Sequence, residues 1–289
     1  MSSFPLFPIE AARRPVAAAL KSPTLVCERW SALPKLTQVT PASKLAVRPA
    51  PEMVSSGVRE IDALTGGLPR GCLTEVCGSA SSGRTSFLLA VLAAATRRHE
   101  TCALVDVSDV FDPTSAAKAG VDFQRLLWVR CGPQTTRPPR RHGDTEKNKK
   151  YFDRDRMETP VEQALRVTDL LLQSGGFGLV MMDFGDVPLK TARRIPLTSW
   201  FRFRRAVEHT PTVLFVVTPA PCAQTCAALL LKVSAKKLSA VSSQLSDKSL
   251  AHAHFLEGLH VEAELVRSRL GRKPMQSVTA FSTKASGTG

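Results

Sequence analysis

The stretch Gly78-Ser-Ala-Ser-Ser-Gly83-Arg84-Thr85 constrains this chain more than any other. It follows a short apolar run, Leu73–Cys77, and opens the Ala- and Leu-rich run Thr85–Arg97. A loop with this glycine spacing, set between a strand and a helix, turns successive backbone N–H groups inward onto phosphate oxygens. The helix start adds the positive end of its dipole. The spacing names Gly78, Ser81, Ser82, Gly83, Arg84, Thr85 and Ser86 as candidate nucleotide-binding residues. Thr85 supplies a hydroxyl suited to Mg²⁺. Arg84 stands where such a loop normally carries lysine. It keeps the charge, but its guanidinium is bulkier and forked, so it fits the lysine geometry for hydrolysis poorly.

The surrounding pattern predicts strands at Ala103–Val107, Leu126–Val129, Leu179–Met182 and Thr212–Val217. Helices are predicted at Val161–Gln173, with Ala164, Leu165, Thr168, Leu171 and Leu172 on one face, and at Ser199–Glu208. Near-continuous apolar strands alternating with helices mean a mostly parallel α/β sheet covered on both faces. Leu229–Ala235, His260–Arg267 and Val278–Phe281 read as strands joined by short turns, an antiparallel C-terminal extension. Asp183 ends the apolar strand at the carboxyl edge, where a second carboxylate holds Mg²⁺ through water.

Two segments stand apart. Residues 1–50 carry seven prolines and read as an N-terminal arm, with Pro15–Leu20 a short helix. Residues 137–156 hold eight basic and four acidic residues and almost nothing apolar, as expected of a charged loop inserted into a core spanning 51–285. Trp200–Arg205 (WFRFRR) interleaves aromatics with cations; on a helix, Trp200, Phe203 and Val207 share a face, which reads as core with Arg202 and Arg205 outside it.

Lys and Arg number 39 against 25 Asp and Glu, a net charge of +14, which suits a polyanionic partner, nucleic acid first. The balance of apolar and charged residues excludes wholesale disorder. Seven cysteines without a CxxC pair read as buried thiols of a reducing cytosol rather than a zinc site. Pro219 and Pro221 split the one long uncharged stretch, Thr210–Leu231, so it is not a membrane helix. No long apolar run follows the N-terminus, which argues against a secretory signal and for a cytoplasmic protein.

The order Ser56-Gly57, Ile61-Asp62-Ala-Leu64, Gly66-Gly67-Leu68-Pro69-Arg-Gly71, Glu75-Val-Cys-Gly78 resembles the segment ahead of the phosphate loop in bacterial RecA recombinases. The likeness continues through Thr101–Asp106, Asp112-Pro113, Gly120–Asp122, Leu126-Leu127, Pro160–Ser174 and Asp183. It implies a RecA-like P-loop NTPase core, ATP and Mg²⁺ as ligands, and a single-stranded-DNA-dependent activity. The losses are equally specific. The family's general-base glutamate falls on Ser108, leaving no candidate catalytic residue. The strand at Thr212–Val217 runs into Thr218-Pro219, where the family has its γ-phosphate-sensing Gln. Only Thr218–Cys226 follows, where RecA carries a long DNA-intercalating loop. The other DNA loop corresponds to Pro188–Pro196, whose Lys190, Arg193 and Arg194 are candidate DNA contacts. Arg267 and Arg269 match basic residues that contact a neighbouring subunit's nucleotide.

A shrunken RecA core with a decayed catalytic site resembles the ImuA family of mutagenesis accessory proteins. That resemblance implies DNA repair and translesion synthesis in the SOS response, weak or absent ATP hydrolysis, and non-specific nucleic-acid binding. The implied partners are a RecA-type filament or a polymerase-like mutagenesis subunit, with possible homo-oligomers docked through the arm at Val16–Leu20 and Leu25–Trp30. The rivals are an ATP-dependent recombinase with DNA-stimulated ATPase activity and a modulator of RecA filaments.

Overall fold

The computed structural model describes residues 50–132, 158–235, 258–270 and 277–284. The chain divides into two units, Met1–Pro49 and Ala50–Gly289, and the described residues all lie in the second. The arm's apolar segments and the charged insertion 137–156 lie outside the described residues.

Within the second unit, β1 (Met53–Val54) pairs antiparallel with β2 (Leu68–Pro69) across α1 (Arg59–Thr65). Then follow β3 (Cys72–Cys77), α2 (Arg84–Arg97), β4 (Cys102–Asp106), α3 (Pro113–Lys118) and β5 (Leu126–Arg130). Next come α4 (Pro160–Ser174), β6 (Leu179–Asp183), α5 (Leu189–Ala192), α6 (Leu197–Val207) and β7 (Val213–Thr218). The described chain closes with β8 (Leu229–Ala235), β9 (Gly258–Ser268) and β10 (Val278–Lys284). One eight-stranded sheet has the order β10-β9-β8-β3-β7-β6-β4-β5.

Local chemistry sets the helix starts. Thr159 accepts from the Glu162 N–H while Glu162 reaches back to the Thr159 N–H, a capping box with Pro160 at the first helical position. Asp112 caps α3 by accepting from the Thr114 and Ser115 N–H groups. α2 has neither device: Gly83 begins it with φ +89 and no side-chain cap.

Every residue of β4 and β7 is buried, as expected of strands covered on both faces. One core layer joins α1 and α2 to the sheet around Ile61, Phe87, Leu92 and Phe215. The other joins α4 and α6 to the opposite face around Leu172, Met182, Trp200 and Phe203. The expected division of α6 is present, with Trp200, Phe203 and Val207 buried and Arg202 and Arg205 exposed.

The expected antiparallel C-terminal extension is present, with β9 antiparallel to β8 and β10 to β9, and two of its details differ. β8 is not part of an antiparallel extension alone: it pairs parallel with β3 from Thr74↔Leu229 to Cys77↔Lys232, and only β9 and β10 run antiparallel. Nor do short turns link all three, because the connection from β8 to β9 occupies 236–257. A strand placed beside the central β3 must be entered from the same end as its parallel neighbour, and the next strand then needs only to reverse. The stretch tested as a membrane span is β7, a loop and β8. Among the described residues no helix is long and apolar enough to cross a membrane.

Candidate functional site

The carboxyl edge of the parallel strands gathers most of the residues singled out by sequence. β3 delivers the 78–86 loop, β4 ends on Asp106 and β6 on Asp183, and these two aspartates are register partners on adjacent strands. The loop is wound tightly. A Cβ on Gly78 would meet Ser82 Oγ at 2.3 Å, and one on Gly83 would meet a Val261 methyl of β9 at 2.3 Å. The left-handed φ of Gly83 adds a second reason for glycine there. Ser81, with φ 57, is exposed at the tip together with Ser79 and Ala80. Ser82 Oγ is buried without a partner among the described residues. Thr85 is exposed and Ser86 half-buried on the first turn of α2.

Arg84 is the departure with structural consequences. Its side chain is 7% exposed. One guanidinium nitrogen donates to the Gly78 carbonyl at 2.6 Å and another to Asp186 Oδ1 at 2.9 Å. Gly185 makes room for this, since a Cβ there would lie 2.9 Å from both Arg84 Nε and Asp183 Oδ1. The loop's own cation is therefore neutralised from within.

Asp183 is half-buried and accepts from the Gly185 N–H at 2.8 Å. Burial pushes its carboxyl up to about 6, reinforced by the carboxylates of Asp106 and Asp186 and opposed by Arg84. Asp106 is committed to the backbone, accepting from the N–H groups of Val110 and Phe111 at 3.2 and 2.9 Å. That fixes the turn carrying Ser108, which is half-buried. The adjacent Asp109 is no substitute base. Both its oxygens are held by Arg130, at 2.6 and 2.7 Å, and this pairing lowers the Asp109 pKa.

The loop's chemistry fits a phosphate-bearing ligand: uncapped N–H groups at the start of α2, no acidic residue in its first turn, and an enclosed serine hydroxyl left unpartnered. Thr85 and Asp183 lie on the two elements flanking that edge. Among the described residues no group of three or more His, Cys, Asp or Glu side chains is placed to hold a metal ion.

Lys190, Arg193 and Arg194 are exposed on and just after α5, with Ala192 and Ile195 buried beneath them. Arg267 and Arg269 are divided by the structure. Arg269 is exposed, whereas Arg267 is half-buried with an enclosed, unpartnered Nε. Arg267, Leu230 and Glu75 form one register row across β9, β8 and β3, and the Arg267 charge acts on Glu75.

Glu75 is the residue the sequence reading overlooked as a functional element. It is fully buried and accepts from Thr218 Oγ1 at 3.1 Å, from the Cys222 N–H at 2.6 Å and from the Ala223 N–H at 3.2 Å. Burial nevertheless holds its pKa above the usual glutamate range. One carboxylate thus pins the 218–226 loop to the central strand. A glutamate in the middle of the otherwise apolar run LTEVC was the available signal, because a charge in a covered strand requires a dedicated partner. Four thiols, of Cys77, Cys102, Cys131 and Cys222, are buried and pushed up to between about 11 and about 12 by that burial, so they are unreactive packing groups.

Comparison with known proteins agrees with this geometry. Residues 43–135 match the family model of the RecA N-terminal domain. The fold is RecA-like. Protein RecA of Ectopseudomonas oleovorans is 34% identical over 134 residues, covering 46% of this chain and 31% of that protein. The chain therefore matches about a third of the length of that curated relative.

Proposed function

We propose that this chain is a RecA-like accessory protein of DNA repair and damage-induced mutagenesis, of the ImuA kind, which binds nucleotide and hydrolyses it weakly or not at all. The carrying observation is Arg84: the cation of the phosphate loop is spent on the Gly78 carbonyl and on Asp186. Ser108 cannot accept a proton at neutral pH, and Asp109 is tied to Arg130. In this reading Gly78, Ser81, Ser82, Gly83, Arg84, Thr85 and Ser86 hold the phosphates of ATP, and Thr85 with Asp183 holds Mg²⁺. Mg²⁺ would supply charge neutralisation between the phosphates. The chain's own residues would orient the phosphates, and Ser108 supplies no base to activate water.

Nucleic-acid contact is assigned to Lys190, Arg193 and Arg194, which are exposed and unspecific in chemistry. The pinned 218–226 loop supports the absence of strand exchange, since Glu75 ties down the segment that intercalates in RecA. A role in the SOS response and translesion synthesis, in the cytoplasm, goes with a protein partner: a RecA-type filament or a polymerase-like mutagenesis subunit. Exposed Arg269 favours a second form of the reading, a modulator that meets a RecA-type neighbour through its nucleotide edge, or a homo-oligomer formed the same way.

The test is co-purification of the intact chain, of Leu25→Asp with Trp30→Asp, and of an arm-deleted form with each partner. Recovery with the intact chain and loss with the arm variants is expected. No recovery of any form, or strand-exchange product made by the chain alone, contradicts the reading.

A further inference from the structure

We infer that the phosphate loop recognises a nucleoside diphosphate and does not read a third phosphate, so that ADP and ATP are equivalent ligands of this chain. The inference rests on the nucleotide-binding reading above and names the ligand of that same site. In a loop of this spacing the backbone N–H groups enclose the inner phosphates, while the cationic side chain after the second glycine reaches the outer ones. Here the two parts have separated. The backbone part is intact: the start of α2 is uncapped, Gly83 keeps its left-handed φ, and the buried Ser82 hydroxyl has no partner among the described residues. The reaching part is turned inward. Arg84 donates to the Gly78 carbonyl at 2.6 Å and to Asp186 Oδ1 at 2.9 Å, with 7% of its side chain exposed. Gly185 lets it pack against the turn after β6, since a Cβ there would lie 2.9 Å from Arg84 Nε.

The neighbouring strand ends are committed as well. β7 ends on the fully buried Thr218, whose hydroxyl donates to Glu75 Oε1 at 3.1 Å and whose carbonyl accepts from the Gly78 N–H at 3.2 Å. The turn after β4 offers the neutral Ser108, and Arg130 at the end of β5 is held through two nitrogens by Asp109. Drawing Arg84 out to a third phosphate would break two charge-assisted hydrogen bonds to make new ones, and would leave the Gly78 carbonyl without this donor, so the exchange returns little. A charge-assisted contact to the outermost phosphate ordinarily separates triphosphate from diphosphate by about 10–100-fold. With that contact withdrawn, the two affinities fall together.

The experiment is isothermal titration of the full chain, with Mg²⁺, against AMP, ADP, ATP and the β,γ-imido analogue of ATP, whose resistance to hydrolysis keeps turnover from feigning equality. ADP and both triphosphates are expected to bind with dissociation constants within about threefold of one another, and AMP about tenfold or more weakly, because it lacks the second phosphate. A triphosphate bound about tenfold or more tightly than ADP overturns the inference and leaves nucleotide binding standing. AMP bound as tightly as ADP overturns it too, since the loop would not then be reading phosphates. Binding of none of the four overturns this inference together with the nucleotide-binding reading. Asp186→Ala tests the cause. Its side chain is 53% exposed, so circular dichroism should be unchanged. With its partner gone, Arg84 is free to meet a third phosphate, so both triphosphates should tighten by about 2–5-fold and ADP by less than about twofold. Equal tightening of all three would mean that the carboxylate merely repels phosphate, and would overturn the assignment to Arg84.

Discussion

Arg84 and Asp186 form an ion pair, 2.9 Å long, between the phosphate loop and the turn after β6. The same turn leads directly into α5 with its exposed Lys190, Arg193 and Arg194. The pair therefore links the two candidate ligand sites of the molecule through one guanidinium.

A bound polyanion must compete with Asp186 for Arg84. Asp186→Ala should therefore tighten nucleotide binding by about 2–5-fold, the order of a pair with one half-exposed partner. Isothermal titration of both forms with ATP checks this. Equal or weaker binding by the variant would show that the pair does not restrain the loop.

Asp183 predicts a pH dependence. Its folded pKa of about 6 lies above the ordinary value of 3.8, so between these values the folded chain holds more protons than the unfolded one. Its contribution is fully present below about pH 4 and is lost as pH rises through about 6. At pH 8 the ionised carboxylate is a net cost, so Asp183→Asn should stabilise the chain there by about 1–3 kcal/mol. The gain should vanish toward pH 4. Urea denaturation of both forms at several pH values measures it, and a gain independent of pH contradicts the assignment.

Glu75 predicts a mechanical role. Glu75→Ala leaves Thr218 Oγ1 and the N–H groups of Cys222 and Ala223 without their buried acceptor. The expected cost is about 2–4 kcal/mol, with Glu75→Gln costing less because one acceptor oxygen remains. Faster proteolysis within 218–226 in the alanine form, at conditions where the rest of the chain resists, is the readout. An unchanged cleavage pattern would mean the loop is held by something other than Glu75.

The sheet was legible because β4, β6 and β7 are near-continuous apolar runs, and β3 is one interrupted only by Thr74 and Glu75, each followed by a turn or loop at its carboxyl end. The phosphate loop was legible because its glycines must sit where a strand meets a helix. What could not be read depends on contacts distant in sequence. Asp186 lies 102 residues from Arg84, and nothing in either neighbourhood marks the pairing. The parallel seat of β8 was hidden for a related reason. Leu229–Ala235 begins with three buried residues and ends alternating, a pattern that fits a strand in either direction. Which neighbour it takes is decided by the chain's path after Cys226, not by its own residues.

The central claim, a phosphate loop that holds nucleotide without turning it over, is tested most directly by phosphate release from the purified full chain with ATP and Mg²⁺, with and without single-stranded DNA. Saturable binding is measured in the same samples. Loss of a positioned general base alone costs about 10²–10⁴ in rate. The account predicts saturable binding with phosphate release at background in both conditions. DNA-stimulated release at the rate of an active recombinase would contradict it.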